Sequence, residues 1–448
     1  MPFELTKDYL EQIEAAIENH DANYIRDVTE ELYPADITGI IYELDNDHSK
    51  YLIEILDKEV SAEVITNLDS YTRADLLENF SSEEIAGFVN GMDSDDAADI
   101  LNEQDSKTRE QVIALLQDRE KARYVIDLLH FEEDTAGGLM QKELIKANIN
   151  WSVLQCISEI RRQAEKVEMI HSIYVVDEKG TLKGRVALKK IILSRGDAHV
   201  ADIYEPDIVS VETHKSSEEV GEIMRRYDLE AVPVVNINGK LLGRITIDDI
   251  VDVMKEQADS DRQAMSGLSD DVEEEDTVFT SVKARLPWLL VGMTGGLFVS
   301  RIIGLFEGAI VNVPAMAFFT PLIAGTAGNV AIQSSSIILQ TLSNKSFMEI
   351  SAMQRLIKVF LIAILNGLIL SLCVFLFNYT FGIEIKLSLV VSIALTCVVL
   401  LASFTGTVTP LILNKLGINP AVASGPFITT ANDLLGTIVY FSTANLLL

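Results

Sequence analysis

The sequence predicts a multidomain membrane protein, in which an acidic N-terminal half precedes a helical transmembrane domain. Charge is divided unevenly: residues 1–286 hold 30 Lys and Arg against 63 Asp and Glu, whereas residues 287–448 hold six and four. The C-terminal part contains long apolar runs. The N-terminal half carries two kinds of internal repeat, which are typical of stacked or duplicated structural units. These three observations fix the order of the predicted domains.

The first 135 residues predict an acidic, all-α superhelical domain. A large apolar residue followed by an acidic or polar one recurs at steps of 12 or 24 residues, at Leu44-Asp45, Leu56-Asp57, Leu68-Asp69 and Met92-Asp93, with weaker copies at Phe80-Ser81 and Gln104-Asp105. Each unit predicts a short helix, and a longer helix over 106–130 ends the array. One such helix cannot bury its apolar face alone, but a stack can.

Four aspartates of this domain fall within seven residues: Asp93, Asp95, Asp96 and Asp99. Asp95 and Asp99 are neighbours on one helix face, where like charges repel. A bound divalent cation would relieve that repulsion. The alternative is a solvated helix N-terminus, where the helix dipole favours acidic residues.

Residues 136–257 contain a duplicated unit, with copies at 136–198 and 199–257. The stretch IYVVDEKGTLKGRVALKKII (173–192) aligns with VPVVNINGKLLGRITIDDIV (232–251) at a constant offset of 59. Each copy predicts a strand, a hairpin turn at glycine, a second strand and a helix. This duplication resembles a tandem pair of CBS domains, which implies a regulatory dimerisation module or a site for an adenine nucleotide such as ATP.

In CBS domains, a Thr or Ser and an Asp three residues later hold the ribose. The resemblance places that pair on Thr246 and Asp249, whereas the first copy has Ala187 and Lys190.

Acidic residues continue from the second copy into the predicted connecting (plug) helix, residues 258–286. The second copy ends in Asp248, Asp249 and Asp252, followed by Glu256 and Asp259, and these five acids are candidate regulatory metal ligands. Asp248 and Asp252 share a helix face, and Glu256 and Asp259 extend it. The run DDVEEED follows at 270–276. One interpretation is that these acids form only a solvated helix flank and a hydrated linker. The other is a lever between a sensor and the membrane domain, whose self-repulsion is quenched by cations.

The transmembrane domain, residues 287–448, predicts five helices over 287–306, 312–341, 357–381, 387–413 and 423–447. Each is near or above the roughly 20 residues that a bilayer requires. Basic residues such as Lys283, Arg285, Lys358 and Lys415 fall on one side of these spans. Because positive loops face the cytoplasm, the N-terminus is predicted to be cytoplasmic and the C-terminus outside.

One acidic residue, Asp433, lies inside the last apolar run. A charge at the membrane centre costs roughly 2.5–3.5 kcal/mol on insertion scales and marks a functional site by default. Thr429 lies one turn earlier on the same face, and the second span carries Gly328, Asn329 and Gln333. Polar residues in several spans predict an ion pathway.

The whole chain resembles the MgtE family of magnesium channels. The domain order and four motifs carry the resemblance: DTAGGLM (134–140), TIDDIVDVM (246–254), PLIAGTAGNVAIQS (321–334) and NPAVASGPFITTANDLLG (419–436). The resemblance implies a homodimer with the pore between its subunits, gated by Mg²⁺ on the cytosolic domains. It places the pore aspartate on Asp433 and the pore asparagine on Asn329.

The chain departs from the family pattern at several positions. Family members often carry acids where this chain has His214, Ser216 and Arg226, and an aspartate where it has Asn419. Whether metal sites between the CBS domains are retained therefore stays open.

The expected function is a Mg²⁺-selective, channel-like importer of the cell (inner) membrane, closed when Mg²⁺ binds its acidic cytosolic domains. A transporter of Co²⁺ or Mn²⁺, or a membrane-anchored metal or nucleotide sensor, is the alternative. An enzyme is not expected, because no nucleophile–base pair or phosphate loop is visible. The acidic half repels nucleic acid.

Overall fold

The computed structural model describes residues 3–165, 167, 169–269, 278–343 and 352–447. The chain divides into two compact units, Met1–Met254 and Lys255–Leu448. Each unit is considered by itself below.

The first unit begins with ten short helices. Their bounds are α1 Lys7–Glu18, α2 Ala22–Thr29, α3 Pro34–Ile41, α4 Asn46–Ile55, α5 Lys58–Thr66, α6 Ser70–Leu77, α7 Ser82–Val89, α8 Ser94–Glu103, α9 Ser106–Leu115 and α10 Arg119–Leu128.

The 12-residue repeat marks the starts of six of these helices. Asp45, Asp57, Asp69, Ser81, Asp93 and Asp105 are the residues immediately before α4 to α9 and occupy their N-cap positions. An N-cap side chain accepts a hydrogen bond from a backbone N–H of the first turn that would otherwise lack a partner. Asp69 does so from the N–H of Thr72 at 2.9 Å. The predicted periodic helical array is confirmed.

The helices stack with their second neighbours along the chain. The odd-numbered helices α3, α5, α7 and α9 pack in sequence, and so do the even-numbered helices α2 to α10. Arg73 ties this array together, donating hydrogen bonds to the carboxylate of Glu103 and to the carbonyl oxygens of Thr66 and Leu68. The continuous apolar core between helices replaces the core that no single repeat could form.

The single long helix predicted over 106–130 is wrong. The chain leaves helical geometry at Leu116, whose backbone is extended (ψ 129°). Asp118 then caps a new helix, accepting a hydrogen bond from the N–H of Glu120 at 2.8 Å. The local cap ends one helix and starts another.

The predicted duplication forms two small sheets. The first contains β1 Ile145–Asn148, β2 Ile173–Val176, β3 Leu182–Val186 and β4 Glu205–Pro206, and the second β5 Val211–Glu212, β6 Ala231–Val235 and β7 Leu241–Thr246. Five helices accompany them: α11 Val153–Ala164, α12 Leu188–Leu193, α13 Val200–Ile203, α14 Ser217–Tyr227 and α15 Ile247–Ser266.

The two copies share their pairing pattern. In each, a parallel pair of strands is followed by an antiparallel hairpin, with the register shift at equivalent positions, Val175/Val176 and Val234/Val235. The hairpin glycines Gly180 and Gly239 have φ of +81° and +72°, a conformation that glycine adopts without a steric penalty. The two hairpins also bond to each other, since the N–H of Leu182 donates to the carbonyl of Gly239 at 2.9 Å.

In the described residues of the second unit, the C-terminal part of α15 is followed by six further helices. These are α16 Val278–Leu305, α17 Glu307–Asn312, α18 Thr320–Ser343, α19 Ala352–Thr380, α20 Ile385–Lys415 and α21 Pro426–Leu447, with 3₁₀ turns at Pro314–Phe319 and Pro420–Ser424. Helix α20 is central, packing against α18, α19 and α21. Its buried side chains include Val391, Ala394, Leu395 and Val398.

Four segments of the described chain are long and apolar enough to cross a membrane: Val278–Leu305, Pro314–Leu342, Ile357–Thr380 and Ile385–Lys415. The fifth predicted span, 423–447, corresponds to α21. This helix has 22 residues but is not among the four, because Asn432 and Asp433 lower its mean hydropathy.

The connecting segment differs from the predicted helix over 258–286. One helix, α15, begins at Ile247 and ends at Ser266, and α16 begins at Val278. The acidic run at 270–276 lies outside the described residues.

The packing of α18 on α20 generates a stability prediction. A Cβ atom at Gly406 would lie 2.5 Å from the carbonyl oxygen of Ala331. That oxygen belongs to helix backbone and cannot move aside, so Gly406→Ala is expected to destabilise the second unit by about 1–3 kcal/mol. The measurement is the thermal unfolding midpoint of the detergent-purified protein. Gly296→Ala, where nothing lies within 4 Å of the added carbon, is the matched control. An equal midpoint for both variants would contradict the close approach.

Candidate functional site

The first candidate site lies where α18 meets α21. Gly328 faces α21, and a Cβ atom there would lie 3.0 Å from Cγ2 of Thr429 and 3.8 Å from Oδ1 of Asp433. The absence of a side chain at Gly328 therefore lets the α18 backbone approach both polar residues. The structure brings together three of the four predicted pore residues.

The Asp433 carboxylate is half-buried in this unit. Within the described part of the chain, no hydrogen bond or ion pair to its side chain is found. A carboxylate withdrawn from water needs a compensating positive charge. A cation reaching this position would supply it.

Asn432, the neighbour of Asp433, has a structural role. Its side chain is 2% exposed. Oδ1 accepts a hydrogen bond from the Thr405 hydroxyl at 2.7 Å, and Nδ2 donates to the Ile428 carbonyl at 2.8 Å. This pair joins α21 to α20 and sets the rotation of α21, which places Asp433 toward Gly328.

Asn329, the fourth predicted pore residue, follows Gly328 and points about 100° further around α18. It is exposed on α18 and lines a recess of about 400 Å³ together with Thr326, Gln333 and, from α19, Asn366. Sequence reasoning missed Asn366. Its signal was a lone amide near the middle of the apolar run 357–381.

The second candidate site is an acidic cluster in the first unit. Asp95 of α8 is 5% exposed, and its Oδ1 atom has no hydrogen-bond partner. Desolvation and then the charges of Asp96 and Asp249 raise its pKa well above the usual value. Desolvation and then the Asp249 charge raise the pKa of Asp96 to about 7. The fold thus brings α8 and the start of α15 together, which the sequence did not show.

The outer members of the cluster are placed differently. Desolvation and then the charge of Glu133 raise the pKa of Asp99 to about 7, although this residue lies at the surface. Asp93 accepts a hydrogen bond from Nε2 of Gln141 at 3.1 Å. Asp248, Asp252 and Glu256 are exposed on α15. Asp259 belongs to the second unit, where it pairs with Arg262 at 3.1 Å.

The chemistry of this cluster suits a hard divalent cation. Among the described residues, no group of three or more His, Cys, Asp or Glu is arranged to hold a metal ion. Mg²⁺, however, commonly takes only one or two carboxylates and keeps several waters. The unpartnered oxygen of Asp95, beside the like charges of Asp96 and Asp249, fits that requirement.

The predicted nucleotide pair, Thr246 and Asp249, is brought together. The Thr246 hydroxyl donates to Oδ2 of Asp249 at 2.5 Å, and its N–H donates to the same oxygen at 3.1 Å. Thr246 is 2% exposed. Thr246 and Asp249 thus hydrogen-bond to each other at the start of α15, and a ribose would have to break these hydrogen bonds in order to bind.

Comparison with known proteins matches about three quarters of the chain. Family models match residues 32–134 as "MgtE intracellular N domain", 136–195 and 200–256 as "CBS domain", and 320–443 as "Divalent cation transporter". The "Magnesium transporter MgtE" of Thermus thermophilus is 35% identical over 341 residues, covering 75% of this chain and 74% of the relative. The chain belongs to the MgtE family.

Two further similarities support this assignment. The MgtE relative of Enterococcus faecalis is 33% identical over 328 residues, covering 73% of this chain and 72% of the relative. Among solved structures, the cytosolic domain of the Mg²⁺ channel MgtE in complex with ATP matches with a TM-score of 0.52 and 33% identity. That match covers 55% of this chain and 99% of the solved chain, so the predicted N-domain and CBS pair are confirmed.

The acidic cluster generates a prediction for stability against pH. Because the pKa of Asp96 is about 7 in the folded protein and about 3.9 in an unfolded chain, only the folded state holds this proton between those values. Stability is therefore expected to fall as the pH rises from about 4 to 7. Asp96→Asn should flatten this dependence and raise the unfolding midpoint at neutral pH by about 3 °C, the shift expected for about 1 kcal/mol.

The measurement is Trp151 fluorescence during thermal unfolding, with chelator present. A Trp288→Phe background leaves Trp151 as the reporter of the first unit, because the chain has two tryptophans. Asp105→Asn, at an exposed N-cap whose backbone and hydroxyl hydrogen bonds lower the Asp105 pKa, is the control and should not flatten the curve. A midpoint that rose with pH would contradict the assignment.

Proposed function

We propose that this protein is a Mg²⁺-selective, channel-like importer in which Asp433 attracts the ion. The observation that carries the proposal is the half-buried Asp433 carboxylate beside Gly328 and Thr429, without a partner among the described residues. The relatives named as magnesium transporters support the choice of ion. In this proposal the N-terminus is cytoplasmic, the C-terminus lies outside, and the protein resides in the cell (inner) membrane with five spans.

The physical chemistry of Mg²⁺ favours contact through water. The ion demands six oxygen ligands near 2.1 Å and dehydrates reluctantly. One carboxylate per chain cannot replace that shell, so Asp433 holds the hydrated ion by charge, with the Thr429 hydroxyl and the backbone near Gly328 bonding its waters. The membrane potential drives entry, contributing about 2.3 kcal/mol per charge per 100 mV.

A homodimer is proposed because two surfaces of the single chain need cover. On α15 the apolar residues Ile247, Val251 and Met254 are exposed on one face, a pattern that marks interaction sites in soluble domains. On α18 the amides of Asn329 and Gln333 are exposed at membrane depth, where contact with lipid is unfavourable, and a second subunit would shield the polar space in front of them from lipid. Two-fold symmetry would place two Asp433 carboxylates around one ion.

Gating follows from the acidic cluster. When Mg²⁺ is scarce, Asp95, Asp96 and Asp249 repel one another, and the arrangement that holds them together is disfavoured. When Mg²⁺ is abundant, bound ions favour it. Helix α15 contains residues of both units, so a change in its position would couple ion binding to the pore. The coupling is a population shift, because Mg²⁺ binds the closed state more tightly than the open state. Low cytosolic Mg²⁺ then opens the channel.

The ATP complex of the related cytosolic domain supports nucleotide binding by the CBS pair as a second ligand. Transport of Co²⁺ or Mn²⁺ and a sensor without a pore are the competing functions. The experiment below separates all three.

Removing the Asp433 charge tests the pore. Asp433→Asn keeps the size of the side chain and is expected to lower Mg²⁺ influx into proteoliposomes by at least about tenfold, since an ion would lose a charge partner near the membrane centre. Glu384→Gln, at the N-cap of α20, is the matched control and should conduct normally. Influx is measured for Mg²⁺, Co²⁺ and Mn²⁺ with an indicator dye. Normal Mg²⁺ influx through Asp433→Asn would refute the pore assignment, and no influx of any ion through the unaltered protein would favour the sensor.

Neutralising the cluster tests the gate. The double variant Asp96→Asn with Asp99→Asn, and the same pair combined with Asp248→Asn and Asp252→Asn, should respond more weakly to cytosolic Mg²⁺, because they lack charges that bind the ion and part of the repulsion that the ion relieves. Patch-clamp titration of the cytosolic face measures the half-inhibiting concentration, which is expected to rise about tenfold or more, as for the loss of one charged ligand interaction of about 1.5–3 kcal/mol. Asp105→Asn serves as the control. Unchanged sensitivity in the quadruple variant would rule out this mechanism.

A further inference from the structure

The recess on the α18–α19 side of the second unit is polar where lipid-facing surface should be apolar. From α18 it is lined by Thr326, Asn329 and Gln333, and from α19 by Asn366. Asn329, Gln333 and Asn366 are all exposed in the chain. Across the described residues, no hydrogen bond is assigned to these three amide side chains.

Three unpaired amides at this depth cannot face hydrocarbon. Both helices belong to candidate spans, Pro314–Leu342 and Ile357–Thr380, and the amides lie near the middle of these spans. A polar group left without partners in lipid costs several kcal/mol. Thr326, Asn329 and Gln333 are separated by three and four residues, so their side chains lie on the same face of α18. The recess must therefore hold water, an ion or a protein partner.

The recess is large enough for a hydrated ion. A water molecule occupies about 30 Å³, so an ion with six waters needs roughly 180–200 Å³, well within the recess volume of about 400 Å³. Amide side chains can both donate to and accept from bound water, and they carry no net charge that would trap the ion. Asn329 directly follows Gly328, which contacts the Asp433 site, so the recess and the carboxylate are adjacent along α18.

We propose that this recess is a vestibule for the hydrated divalent cation, and that Asn366 of α19 is a positioning residue for ion entry. Its amide, opposite Gln333, bonds the outer waters of the ion before the ion reaches Asp433. The inference rests on the proposed transport function. It adds the third span to an ion pathway otherwise built from α18 and α21.

Cysteine accessibility tests whether the recess is wet. Cys373 and Cys397 are exposed and are first replaced by Ala, whereas Cys156 is buried and stays. Asn366→Cys is then compared with Leu368→Cys in phosphatidylcholine–phosphatidylglycerol vesicles, using a cationic methanethiosulfonate reagent. Leu368 is 56% exposed and lies about 200° around α19 from Asn366. Labelling at position 366 should be at least about tenfold faster, because only thiolate in contact with water reacts, and MgCl₂ should slow it more than NaCl at matched ionic strength.

Transport supplies the second readout. Asn366→Leu should lower Mg²⁺ influx about fivefold, the effect of one lost hydrogen bond, whereas Asn366→Gln, which keeps the amide, should stay within about twofold of the unaltered protein. A merely structural role would not produce protection of the position 366 thiol by Mg²⁺.

Several outcomes would overturn the vestibule. Position 366 as unreactive as position 368 would mean that protein or lipid covers the recess, and rapid labelling without Mg²⁺ protection would mean that it holds water but not the ion. Either result, with normal Mg²⁺ influx that depends on Asp433, would refute this inference alone. Absence of Mg²⁺ influx in the unaltered protein would instead refute the proposed function.

Discussion

Polar atoms at membrane depth need partners other than lipid, and this constraint organises the second unit. Most such groups pair within the protein. Ser371 of α19 donates to the Ser392 carbonyl of α20 at 2.6 Å, and the Ser334 and Ser403 hydroxyls of α18 and α20 lie 3.2 Å apart. Asn432 bonds to Thr405 in the same way. These bonds join helices between which the hydrophobic effect supplies no driving force in lipid. Among the described residues, the side chains without such partners include the buried Asn378 and Thr437 as well as Asp433 and the recess amides. Asp433 and the recess amides are the more accessible of these groups and are therefore the candidates for function.

The first unit faces the opposite situation, because water can solvate its charges and yet the fold holds several acids together. Asp95 is buried among like charges, which is unfavourable on its own. The surrounding array compensates through many small local interactions, such as the N-cap hydrogen bonds that begin seven of its ten short helices and the Arg73 hydrogen bonds to Thr66 and Glu103. A bound cation would stabilise this arrangement of acids because it relieves their repulsion. A ligand can shift an equilibrium between two states only if it binds one of them more tightly than the other.

Local structure was predictable from the sequence, whereas contacts between residues far apart in the chain were not. The 12-residue repeat predicted a series of short helices separated by acidic turns, and the structure shows that the Asp or Ser of each turn is the N-cap of the following helix. The duplication located both hairpins through Gly180 and Gly239. The break before Asp118 was missed because the apolar pattern continues across it. The approach of Asp249 to Asp96 joins residues 153 positions apart, which no periodicity shows. Asn366 was one of a few scattered polar residues in an apolar run.

Charge at the end of α15 helps to locate the sensing acids. Asp261 accepts hydrogen bonds from Nε2 of Gln257 at 3.0 Å and from Nδ2 of Asn419 at 2.9 Å. The family pattern often has an aspartate where this chain has Asn419, and two carboxylates in that contact would repel unless a cation joined them. With the amide, the contact needs no ion. Asp259 is likewise neutralised by Arg262. On α8 and at the start of α15, by contrast, desolvation and mutual repulsion of Asp95, Asp96 and Asp249 raise the pKa of Asp95 and Asp96, so the proposed gating charge is placed there.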